Sequence, residues 1–138
     1  MRVVIYGAGG IGGTIGARLH KSGYETALIA RGEHLDVMQV EGMRFVTPTL
    51  DVRLRIPAFA GPAEADLSDD DVVILCMKGQ HTEAALRDLY AAAPDSIPVV
   101  SCQNGVANER TALRRFSNVY GMVVWLPAEH LEPGEVVN

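Results

Sequence analysis

The run GAGGIGGTIGARL, Gly7 to Leu19, carries six glycines directly after the apolar segment Arg2 to Tyr6. Inside a helix each glycine costs roughly 1 kcal/mol relative to alanine, so a chain keeps such a run where its backbone must turn sharply or be approached closely. Gly7, Gly9 and Gly12 have the GxGxxG spacing, at the point where a strand gives way to a helix. That spacing serves a tight turn at the first glycine, close approach of a pyrophosphate at the second and close helix-to-strand packing at the third. The free N–H groups and the dipole at the start of the helix favour an anion in the same place. A glycine-rich turn can also serve packing alone, and methyltransferases use related turns for a different nucleotide. A strand before, a helix after and a second strand following favour a dinucleotide.

The rest of the chain repeats the alternation. Apolar runs at Arg2 to Tyr6, Thr26 to Ala30, Val72 to Met77, Val99 to Cys102 and Val119 to Leu126 read as strands. Helices are expected over Ile11 to Lys21, ended by Ser22-Gly23, and over Glu33 to Glu41, ended by Gly42. Another is expected over Glu83 to Ala92 with Thr82 as its N-cap, and a fourth over Asn108 to Phe116. Met43 to Ile56 breaks the rhythm with two short strands around Thr47-Pro48-Thr49, read as a hairpin at the sheet edge. The expectation is one α/β domain over residues 1–138, a Rossmann-type doubly wound, mostly parallel sheet with a small edge hairpin.

With 48% hydrophobic residues the chain can bury a substantial core. Its net charge of -5, from 12 basic and 17 acidic residues, and its lack of basic runs argue against nucleic acid. No apolar run reaches bilayer length and the first residues lack the pattern of a secretory signal, so no membrane partner and a cytoplasmic setting are expected. Cys76 and Cys102 fall in apolar runs and read as inert buried thiols. No His and Cys cluster has metal-ligand spacing.

Which dinucleotide is bound should be decided where the second strand ends. An NAD site usually places an acid there for the ribose hydroxyls, whereas this chain has Ala30-Arg31-Gly32. A guanidinium suits the 2′-phosphate of NADP in charge and fork geometry, although an exposed arginine at a loop entry is the plainer reading. Lys78 and Asn104 follow two later strands, at the sheet edge where ligands gather. Alone, the lysine could simply reach water and Asn104-Gly105 simply turn. Together they offer one cation and one amide to one crevice. His81 lies close by and reads as a solvated loop histidine.

At this point the sequence resembles the ketopantoate reductases (2-dehydropantoate 2-reductases). GAGGIGG, IARG, CMKGQHTEA, CQNGVANE and VYGMVVWLPAEHLEPGEV stand in that family's order and approximate spacing, across nearly the whole chain. The resemblance implies NADPH-dependent reduction of a 2-keto acid, the family reaction being ketopantoate to pantoate in pantothenate and coenzyme A biosynthesis. It implies that Gly7, Ala8, Gly9, Gly10, Ile11 and Gly12 hold the pyrophosphate and Arg31 the 2′-phosphate. Lys78 and Asn104 would lie beside the nicotinamide ribose and the keto acid, and Ala128 near the cofactor through its backbone.

The family continues into a carboxyl-terminal helical domain, absent after Asn138, which carries the proton-donating lysine. On that expectation the chain is the cofactor-binding half, inactive alone, with no certain catalytic residue of its own and with apolar surface through which a homo-oligomer could form. A nucleotide-sensing module without chemistry, or half of a related hydroxyacid dehydrogenase or imine reductase, stays open beside it.

Overall fold

The computed structural model describes residues 1–138. The first half runs β1 (Arg2–Tyr6), α1 (Gly10–Lys21), β2 (Thr26–Ile29), α2 (Gly32–Glu41), β3 (Met43–Thr47), β4 (Leu50–Leu54) and β5 (Ala58–Phe59). The second half runs β6 (Asp71–Leu75), α3 (Thr82–Ala92), β7 (Val99–Ser101), α4 (Asn108–Ala112), β8 (Val119–Gly121) and β9 (Glu135–Val137). No helix is long and apolar enough to cross a membrane.

Side-chain alternation along the central strands makes a sheet that is covered on both faces. In β1, Val3 and Ile5 enter one core and Val4 the other; in β2, Leu28 opposes Ala27 and Ile29; in β6, Ile74 opposes Val73 and Leu75. The first core takes Ala17 of α1, Leu35 and Met38 of α2 and Phe45 of β3. The second takes Leu86 and Leu89 of α3 together with Phe116. The main sheet is parallel throughout, in the order β5-β2-β1-β6-β7-β8. The order reverses at β1, and this is where open α/β sheets open a crevice. Tyr6 pairs with Ile29 on one side and Leu75 on the other, so the carboxyl ends of β2, β1 and β6 are level.

The hairpin expected over Met43 to Ile56 forms as β3 and β4, and β9 adds to it in parallel as a separate three-stranded sheet rather than being bonded into the main one. Three other expectations need correction. Thr82 is not an N-cap: it is the first residue of α3, and its buried hydroxyl bonds to other side chains. Regular helix after Asn108 stops at Ala112 and continues to Phe116 only as hydrogen-bonded turns. The strand expected over Val119 to Leu126 ends at Gly121, because β8 is an outer strand whose one neighbour, β7, ends at Ser101; the Met122 N–H still donates to the Ser101 carbonyl, and beyond it no ladder continues. Val123 and Trp125 are consequently more than nine-tenths exposed despite their apolar character.

At the opposite end of the sheet, Arg2 and Asp71 are register partners whose side chains form a two-point ion pair, Nε–Oδ1 2.9 Å and Nη2–Oδ2 2.8 Å. Burial alone would raise the Asp71 carboxyl, but the Arg2 guanidinium and the Ser68 N–H overcome it and hold it below the ordinary carboxylate range. Arg2→Ala would strand this carboxylate, and we expect a loss of about 2–3 kcal/mol at neutral pH in urea unfolding. Because the folded carboxyl titrates below the unfolded one, the pair's contribution is full above about pH 4 and fades as pH falls through the lowered value. Wild type and variant should therefore converge in acid.

Candidate functional site

Above the level ends of β2, β1 and β6 lies a cleft of about 890 Å³, within the range of ligand sites. A smaller depression of about 310 Å³, beside Gln39, Arg55 and Phe59 at the outer strand β5, shares no lining residue with this cleft.

The turn from β1 to α1 forms the floor of the cleft. Gly7 has φ +102°, and a Cβ there would sit 2.8 Å from the Met77 nitrogen, so the sharp turn and the neighbouring strand both require glycine. Gly12 faces the sheet, where a Cβ would come within 2.2 Å of the Gly7 carbonyl oxygen. Gly9 is different. Its φ of -75° suits any residue and a Cβ would meet nothing within 4 Å, so neither conformation nor packing explains the missing side chain. The bare backbone opens at the start of α1, which has no side-chain cap and no acid in its first turn. Uncapped N–H groups beside an open backbone suit an anion.

Charge is concentrated on the walls. Arg31 directly follows Ala30 at the end of β2, and Lys78 lies on the connection from β6 to α3; both line the cleft and are exposed. His81, expected to be solvated, is instead half-buried in the cleft wall, its Nε2 3.4 Å from Arg31 Nη2. Asp88 is the acid on this wall. Burial first, and the Asp88 carboxylate second, push the Tyr6 phenol above its ordinary range against the opposing pull of Arg31, so Tyr6 stays a neutral donor.

Of the residues singled out from the sequence, Gly7, Ala8, Gly9, Gly10, Ile11, Arg31, Lys78 and Ala128 line the cleft together, and Gly12 lies beneath it. Asn104 does not: it is exposed on the loop after β7, outside the lining. A buried polar network connects it to the wall. Gln103 Nε2 donates to the Met77 carbonyl and to Thr82 Oγ1, both at 2.8 Å, and Ser101 Oγ donates to Gln103 Oε1. The Thr82 hydroxyl then bonds to Asn108 Oδ1, and Asn108 Nδ2 donates to the Asn104 carbonyl. Gln103 thus fixes the backbone just before Lys78 and, through Thr82 and Asn108, the loop of Asn104.

Tyr6, His34, Asp88 and His130 also line the cleft and were not singled out. Tyr6 could have been found as the last residue before the glycine turn. His34, Asp88 and His130 are brought in by helix packing and by a segment returning from the far end of the chain, which no local spacing reveals.

Residues 3–138 match the family model described as ketopantoate reductase PanE/ApbA. The chain is 32% identical to the 2-dehydropantoate 2-reductase of Archaeoglobus fulgidus over 136 residues, 99% of this chain and 43% of the relative. It is 34% identical to the enzyme of the same name from Mesorhizobium japonicum over 77% of this chain and 32% of the relative. Among solved structures, a PanE/ApbA family ketopantoate reductase from Ralstonia eutropha JMP134 superposes with a TM-score of 0.89 at 32% identity, covering 99% of this chain and 46% of that one. A D-mandelate dehydrogenase in complex with NADH and anilino(oxo)acetate superposes with a TM-score of 0.90 at 27% identity, over 99% and 45%. The chain therefore spans less than half the length of these relatives.

The two glycines facing opposite ways make a test that needs no ligand. Gly12→Ala should cost about 1–3 kcal/mol or more, since a methyl group is forced onto a carbonyl that cannot retreat. Gly9→Ala should stay within about 0.5 kcal/mol of wild type. Parallel urea unfolding of the two variants measures both.

Proposed function

The chain belongs to the ketopantoate reductase family, and from that premise we propose that it forms the cofactor-binding half of an NADPH-dependent 2-keto acid reductase, with ketopantoate as the substrate. The observation that carries this reading is the pairing of an open, uncapped helix start at Gly9 with the cation Arg31 at the end of β2, on one cleft. A dinucleotide fits the residues present. Gly7 to Gly12 would hold its pyrophosphate through backbone N–H groups, and Arg31 the 2′-phosphate through its guanidinium. Lys78 would serve the nicotinamide ribose and the keto acid from the wall, with Asn104 reaching toward the same end from the loop that Gln103 supports. Ala128 would meet the cofactor through its backbone.

When bound, the reduced nicotinamide supplies the hydride. The residues of this chain bind and orient. The proton needed by the new alkoxide is assigned to none of them, and in this reading it comes from the domain that the longer relatives carry.

One observation favours a second reading. The D-mandelate dehydrogenase that superposes at a TM-score of 0.90 is bound to NADH, which suggests an NAD-dependent hydroxyacid dehydrogenase. Arg31 separates the two. By titration calorimetry the chain should bind NADPH more tightly than NADH, and Arg31→Ala should narrow the gap by about one to two decades, the contribution of a charge-assisted contact. Equal dissociation constants would favour the NAD reading.

A second expectation concerns turnover. Residues 1–138, mixed with NADPH and ketopantoate, should bind the cofactor but show no enzymatic loss of reduced-nicotinamide absorbance, since a missing general acid alone costs about 10²–10⁴-fold. Robust turnover would assign the acid to this chain, with Lys78 the first residue to substitute.

A further inference from the structure

His34, in the first turns of α2, touches two segments that are remote from it in sequence. One ring nitrogen, Nε2, lies 2.7 Å from the Ala8 carbonyl oxygen in the glycine turn. The other, Nδ1, lies 2.8 Å from the Gly134 nitrogen, just ahead of β9. A backbone N–H can only donate and a carbonyl can only accept, so Nδ1 must accept and Nε2 must carry the proton. We assign His34 to this neutral tautomer. Protonation at Nδ1 would turn an acceptor into a donor facing a donor.

The segment that His34 grips belongs to the cleft. Residues 127–134 cross the glycine turn so closely that a Cβ on Gly10 would lie 2.8 Å from the Ala128 carbonyl oxygen, and Ala128 and His130 both line the cleft. Glu129 and Val137 exchange backbone hydrogen bonds that fold the segment back on β9. Gly134, at φ +74°, would place a Cβ 2.3 Å from Val37 Cγ1, so only glycine lets the segment approach α2 closely enough to reach His34. The glycine turn, α2 and the returning segment thus meet at one imidazole.

We propose that His34 is a positioning residue for the cofactor: as a neutral clamp it holds the glycine turn against the Ala128 segment, and on taking up a proton it releases that segment and weakens nucleotide binding. The inference rests on the reading of the cleft as a nucleotide site. The groups facing His34 support it. Gly7 to Gly12 contain no titratable side chain. The returning segment brings His130, whose ring centroid is 3.9 Å away, together with the carboxylates Glu129 and Glu132, and β9 brings Glu135, whose carboxylate is engaged by Arg44 at 2.6 Å. On α2 the charged neighbours are Glu33 and Asp36, with Arg31 as the residue just before its first turn. Burial first, and the nearby His130 in addition, hold His34 below the ordinary histidine range, although its bond to Ala8 pulls the other way. The proton is therefore taken up only as pH falls below about 6.5, and binding should be unimpaired above that.

The experiment measures dissociation constants of NADP⁺ and NAD⁺ for residues 1–138 between about pH 8 and pH 5.5, the range in which histidine changes charge. Wild type should lose about three- to tenfold in affinity for both nucleotides on acidification, in excess of any loss shown by His34→Asn and His34→Gln. These two variants keep one hydrogen-bonding reach each, toward Gly134 or toward Ala8, and neither titrates. A loss shared by NAD⁺ cannot come from the 2′-phosphate of NADP⁺. His130→Gln should retain the wild-type slope. ¹⁵N NMR of the imidazoles, which needs no variant, should show His34 in the Nε2–H form at high pH.

The opposite tautomer, the same slope in wild type and both His34 variants, or a slope that disappears in His130→Gln would each overturn the clamp while leaving the nucleotide reading intact. Failure of wild type to bind either nucleotide at any pH would overturn both.

Discussion

Where the chain leaves β1 it must turn over the sheet at once, and the helix after that turn must lie almost on the strand it came from. The contact between Gly12 and the Gly7 carbonyl makes this possible: 2.2 Å to a hypothetical Cβ leaves no room for any other residue. Close contact there sets the height of α1 above the sheet. That height puts the uncapped start of α1 level with the ends of β2 and β6, and the cleft exists because those three ends coincide. A larger residue would lift α1 and separate the turn from the wall that bears Arg31 and Lys78.

The cleft combines two kinds of support. Its floor is backbone, held by packing between glycines and strands, and carries no titratable side chain of its own. Its walls depend on side-chain hydrogen bonds made over long sequence separations. Gln103 and Thr82 are buried and mutually satisfied, which makes them costly to alter and well suited to fixing the loops around them. His34 performs the same service with a group whose charge can change.

The same sheet shows why two similar apolar runs end so differently. Val73 to Leu75 lies between β1 and β7, with neighbours on both sides, and its side chains fill both cores. Val119 to Leu126 is also largely apolar but lies beside β7 alone, which ends at Ser101, so only its first residues pair and Trp125 is left in solvent. Hydrophobicity states that a segment prefers burial. Only the neighbours determine whether it is buried.

Local chemistry in the sequence was sufficient for the alternating strands and helices, the glycine turn, Arg31 at the end of β2 and Lys78 after β6, because each depends on residues within a few positions of one another. The sequence by itself therefore determined the fold class and the backbone half of the cleft. It did not determine that Thr82 would turn its hydroxyl into a buried network, that β9 would join the hairpin, or that Asn104 would stand outside the cleft wall. Those outcomes, like the meeting of Ala8, His34 and Gly134 from the two ends of the chain, were decided by tertiary structure. Their hydrogen-bond partners are set by how helices and returning segments pack in three dimensions, and no periodicity along the chain encodes such partners.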